Sequence, residues 1–160
     1  MNKRVILWLT LWTCLVFLTF AGIQEFQKPN LTGNWKFNPA KSKLQIPPPD
    51  SGVFRIDHRE PVFQVSRTFM YSGKPDELSF SRTADGKEFV EKGKDRTTSG
   101  RLYWEGSILV LDEVIALKDR KATNVVRYEI SPDGKTLTAR ESFRGPILKY
   151  DNIWVFDKQL

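Results

Sequence analysis

Asn124-Val125-Val126-Arg127-Tyr128-Glu129-Ile130-Ser131-Pro132-Asp133-Gly134-Lys135-Thr136-Leu137-Thr138-Ala139-Arg140-Glu141-Ser142-Phe143 decides the fold class. Val126, Tyr128 and Ile130 fall on one side of the chain before the central Pro-Asp-Gly. Leu137, Ala139 and Phe143 fall on one side after it, with Glu141 among them. Period-two alternation marks a strand with one buried face. Pro-Asp-Gly between two such runs marks a turn, because proline presets φ and glycine accepts positive φ. The segment reads as a β-hairpin.

The same pattern repeats outward from this hairpin. Strands are expected at residues 33–38, 54–59, 62–71, 77–83, 88–92, 101–104, 108–117, 124–131, 136–143 and 148–156. Ser72-Gly73-Lys74-Pro75, Ala84-Asp85-Gly86-Lys87, Glu105-Gly106-Ser107 and Gly145-Pro146 punctuate them. Residues 39–50 form a longer connection, with one helical turn expected over 39–44. Pro47-Pro48-Pro49 precludes ladder pairing there. Turn signals about every ten residues, with no helical periodicity and no internal repeat, predict an all-β, up-and-down antiparallel meander. A meander of about eight to ten strands with one apolar face tends to close into a barrel, because closure removes exposed edges.

The N-terminus has a different character. Lys3 and Arg4 precede an almost wholly apolar run from Val5 to Ile23. A cationic start and an apolar run form the pattern of a secretory signal. Thr19 and Ala21 suit the small positions of a cleavage site, so a signal helix over 1–21 with cleavage after Ala21 is expected. The run also approaches the ~20 residues that span a bilayer, so an uncleaved anchor over 5–23 is the alternative. Residues 22–30 are a polar linker, and 31–160 are the barrel domain. The domain is then exported, periplasmic or secreted, and touches a membrane only through this segment. Removing Lys3 and Arg4 from 25 cations leaves 23 against 19 acids, a net of +4. The cations are scattered, which argues against nucleic-acid binding. Cys14, the only cysteine, lies in the export segment. The domain therefore has no disulfide, thiol nucleophile or cysteine metal site.

Leu31-Thr32-Gly33-Asn34-Trp35 opens the first strand. This Gly-x-Trp resembles the opening motif of lipocalins and related calycin barrels. The resemblance implies that Trp35 closes the barrel floor and that Gly33 lets the chain enter closely. The longer stretch from Leu31 to Ser42 looks like the opening of an uncharacterised family of exported bacterial lipocalin-like proteins, and residues 131–137 resemble a late hairpin of that family. Lipocalins also carry a late arginine over the tryptophan, for which Arg140 and Arg144 are candidates here. Their mid-barrel Thr-Asp motif has no counterpart in this sequence.

Polar residues on apolar faces are the informative positions, because an unpaired buried charge is costly. Alternation places His58 with Phe54 and Ile56, and Arg67 with Phe63, Val65 and Phe69. It places Arg82 with Leu78 and Phe80, Tyr128 with Val126 and Ile130, and Glu141 with Leu137 and Ala139. These five are the ligand-binding candidates: a polar end for an anionic or hydroxylated head group, above an apolar interior. The other reading is that they are strand-end charges on a filled core. Asp112 and Glu113 fall on opposite faces and do not make a carboxylate pair. One histidine and no mature cysteine preclude a histidine-rich metal site and a thiol enzyme. No phosphate loop or nucleophile elbow is present, so no cofactor, metal or catalytic residue is expected. The leading reading is an exported, non-enzymatic binder of a small hydrophobic or amphipathic molecule. The alternatives are an envelope-associated interaction module with a basic, aromatic surface, and a small barrel enzyme using His58 and Glu141.

Overall fold

The computed structural model describes residues 28–159. The expected signal helix over 1–21, the alternative anchor over 5–23 and linker residues 22–27 lie outside the described residues. Ten strands follow: β1 (Gly33–Phe37), β2 (Ser51–Arg59), β3 (Val62–Tyr71), β4 (Lys74–Thr83), β5 (Glu88–Lys92), β6 (Arg96–Glu105), β7 (Ile108–Leu117), β8 (Arg120–Ile130), β9 (Thr136–Arg144) and β10 (Lys149–Lys158). They form one antiparallel sheet in the order β4-β3-β2-β1-β10-β9-β8-β7-β6-β5. Chain neighbours pair throughout, with one exception. β1 pairs with β10, and the ladder is interrupted between β4 and β5. The sheet is an all-β up-and-down meander curled into a half-barrel. Its two halves face each other: Phe54 of β2 stacks on Tyr128 of β8 at 6.1 Å, and Phe63 of β3 lies 5.5 Å from the same ring.

The interruption has a local cause. After β4 the chain spends its donors elsewhere: Ala84 N–H goes to Pro61 O at 2.7 Å and Gly86 N–H to Leu102 O at 3.0 Å. The connector that reads as a hairpin turn is therefore tied to the β2–β3 turn and to β6. Side chains bridge the space instead. The Arg82 guanidinium lies 4.1 Å from the centre of the Phe89 ring and donates to Glu91 of β5 at 2.5 Å.

Local chemistry explains the other boundaries. Ser72 and Gly73 both take positive φ (50° and 75°), the two-residue turn that suits the twist of a hairpin. β4 consequently begins at Lys74 and contains Pro75, which a strand at the sheet's edge tolerates because its missing N–H faces no partner. Lys118 also takes positive φ, 54°, without help from glycine, so β8 starts at Arg120. Ser42 N–H reaches Asn38 O at 3.2 Å, so a single turn forms over residues 39–41; the helical turn expected over 39–44 stops there because Lys43 bridges to Ile153 of β10.

The core is one contiguous cluster running from Leu31, Trp35 and Ile56 at one end to Phe69, Trp154 and Phe156 toward the other. Trp35, Phe63, Leu102, Leu109 and Leu137 are fully buried. Gly52 makes this packing possible: a Cβ there would lie 2.4 Å from the Phe69 ring.

Candidate functional site

The barrel has two ends of different construction. At the floor, Trp35 is fully buried and its indole N–H donates to Leu31 O at 3.1 Å. A Cβ on Gly33 would lie 3.2 Å from that indole, so glycine lets β1 enter against the ring. The cation over Trp35 is Lys158, 5.4 Å from the ring centre, from the end of β10. Neither arginine candidate takes this place. Arg140 is exposed, and Arg144 forms a two-pronged pair with Asp151 at 2.8 Å. The register explains the substitution, because Trp35 faces Lys158 directly across the β1–β10 ladder.

His58 belongs to this floor. It is buried on the apolar face of β2, as alternation requires, but its partners are local. Nδ1 accepts the Leu31 N–H at 3.3 Å, which leaves the ring proton on Nε2, 3.2 Å from Glu60. Glu60 also accepts from the Trp104 indole at 2.7 Å and from Lys28 at 2.8 Å. Partial burial opposes the Glu60 charge, and the bonds from Lys28, Trp104 and His58 outweigh it and hold the carboxyl below its usual range. His58 and Glu141 are engaged in separate networks, so the acid–base pair of the enzyme reading does not form.

At the other end a cavity of about 300 Å³ opens between the two halves of the sheet. This end carries the connection over residues 38–50 and the β3–β4, β7–β8 and β9–β10 turns. Phe54, Phe69, Trp154 and Phe156 wall the cavity, and Phe69 stacks on Trp154 at 5.1 Å. Three of the five sequence candidates line it: Arg67, Tyr128 and Glu141. His58 lies at the floor. Arg82 lies at the β4–β5 interruption rather than on the cavity wall.

The polar lining is largely acidic. Arg67 pairs with Asp76 at 2.5 Å and lies 4.5 Å over the Phe69 ring, while its buried Nε has no partner. Glu141 accepts from the Trp154 indole at 2.8 Å and from Asn152 at 3.1 Å, with the Tyr150 hydroxyl at 3.5 Å. Burial and the adjacent Glu141 charge push the Tyr150 hydroxyl up to about 12. Burial raises Tyr128 further, with Glu113 and Glu141 adding to the effect, so its hydroxyl stays protonated and able to donate. Glu113 also lines the cavity, directly across the ladder from Asn124. Desolvation raises its carboxyl above the usual range. The Asn124 Oδ1 is buried without a partner.

Glu113, Asn124, Asp76, Tyr71 and Tyr150 are polar lining residues that alternation did not single out. The signal for Glu113 was present but masked. Ile108 to Leu111 is apolar at every position, and Leu109, Val110 and Leu111 are all buried, so no alternation fixes which face the next residues take.

The architecture is shared with solved structures of low sequence similarity. A secretory abundant heat soluble protein from Ramazzottius varieornatus superposes with a TM-score of 0.55 at 9% identity, over 84% of this chain and 99% of that one. Zebrafish ileal bile acid-binding protein, solved with cholic acid, superposes with a TM-score of 0.52 at 17% identity, over 80% and 98%. The fold is lipocalin-like. No protein-family model and no curated protein sequence matches the chain. Gly33 and Trp35 lie at the floor, the place the opening motif implies.

Proposed function

We propose that this lipocalin-like domain is a non-enzymatic carrier that holds a small hydrophobic or amphipathic molecule between the two halves of its sheet. The observation that carries the reading is the cavity: about 300 Å³, aromatic walls and a few convergent polar groups. That is the construction of a small-molecule site, at the lower end of the usual size. The zebrafish relative in fold was solved with cholic acid, which supports an interior ligand. We also propose that the carrier works outside the cytoplasm, delivered by residues 1–21 or retained by residues 5–23.

The test is titration of the purified protein with the neutral fluorophore N-phenyl-1-naphthylamine, beside native mass spectrometry of protein taken from its own envelope. A saturable one-to-one fluorescence rise and a co-purifying small-molecule adduct are expected. No rise and no adduct would overturn the carrier reading.

One observation favours the interaction-module reading as a second possibility. Ile147 and Leu148 in the β9–β10 turn are 81% and 53% exposed, beside Arg144 and Lys149. An exposed apolar tip among cations suits contact with another surface.

A further inference from the structure

The charges of the cavity specify its ligand more narrowly than its walls do. Two cations approach the interior, and each is already matched: Arg67 by Asp76 and Arg82 by Glu91. Two carboxylates remain, Glu113 and Glu141. Neither has a lysine or arginine partner among the ion pairs of the described residues. The buried Asn124 Oδ1, an acceptor with no donor, lies in the same lining across the ladder from Glu113. Aromatic rings surround these groups. Rings present a negative face to a cation, and a desolvated site strengthens both that attraction and the pull of a carboxylate. An incoming carboxylate meets the opposite field, and the one cation on the wall, Arg67, is already neutralised by Asp76 and offers only its buried Nε.

We infer that the cavity takes a compact amphiphile bearing a protonated amine, with the ammonium between Glu113, Glu141 and the Asn124 carbonyl and the apolar body against the aromatic wall. This rests on the carrier reading and narrows it, and it excludes the anionic head group that the sequence alone left open. Desolvation raises Glu113, and a bound cation favours its ionised form.

Isothermal titration with decylammonium, decanol and decanoate at neutral pH tests it, since the three share one chain length. Decylammonium is expected to bind about tenfold tighter than decanoate, with decanol between them. Glu141→Gln keeps an acceptor for Trp154 and Asn152 but removes the charge, and should shrink that ratio to about threefold or less. Glu113→Gln, which leaves the Trp154 and Asn152 bonds untouched, serves as the second variant. An unchanged far-ultraviolet circular dichroism spectrum shows that either variant is folded. Decanoate binding as tightly as decylammonium overturns the inference and leaves the carrier reading standing. Failure of all three probes overturns both.

Discussion

The floor and the cavity end of this barrel are built from the same kinds of residue to opposite purposes. Each has tryptophan, a glutamate and a conspicuous cation. At the floor the groups satisfy one another: Trp104 and Lys28 donate to Glu60, His58 bridges Glu60 and Leu31, and Lys158 lies over Trp35. At the cavity end Arg67 Nε and Asn124 Oδ1 are left without partners beside open space. A satisfied polar network stabilises a fold, whereas unsatisfied buried groups around a cavity are held ready for something else.

The sharpest way to break this contrast is Trp35→Ala. Loss of a fully buried tryptophan should cost about 3–5 kcal/mol, read as a lower midpoint in urea unfolding. A loss below about 1 kcal/mol would show that the floor is not the structural end. His58→Leu should cost about 1–3 kcal/mol, because the Leu31 N–H loses its buried acceptor. It should leave N-phenyl-1-naphthylamine affinity unchanged. An equal loss of affinity would join His58 functionally to the cavity.

Ala139→Leu tests the other end. Ala139 lines the cavity wall, and extra volume there should lower probe affinity about tenfold while changing stability by about 1 kcal/mol or less. A large destabilisation with intact binding would place the empty space elsewhere.

The smallest effect concerns pH, and its sign differs between the ends. Glu60 has a lowered pKa, so its contribution is present above the unfolded value and fades as pH falls through the folded one. Glu113 has a raised pKa. Its contribution is full below the unfolded value and is lost as pH rises through the folded one. Arg82, Glu91, Arg96 and Asn124 all act on Glu113, so Glu113→Gln is the clean comparison. Urea midpoints across mildly acidic pH should lose part of their decline with rising pH in Glu113→Gln. In Glu60→Gln they should lose part of their decline with falling pH. Matching slopes in the two variants would remove the distinction.

Much of this was legible in the chain because strand alternation and turn chemistry are local. The Pro-Asp-Gly hairpin, the Gly-x-Trp opening and the inward side of His58 follow from two or three neighbouring residues. Alternation gives the face of a residue but not its height along the barrel. His58 and Arg67 both occupy the inner face, yet one lies at the floor and the other at the cavity. Height depends on the stagger between strands, which no single strand encodes. Arg82 escaped for a related reason: only the interruption beside β4 and β5 gives it a neighbour such as Phe89. Lys158 over Trp35 is a pairing between the two ends of the domain, visible only once β1 and β10 are joined.

The place of Lys28 sets a direction for the whole molecule. It joins Glu60 and Trp104 at the floor, the end opposite the Tyr71 and Tyr150 rim. The described chain therefore meets the barrel at its base, and the cavity opens on the opposite side, like a cup standing on its foot.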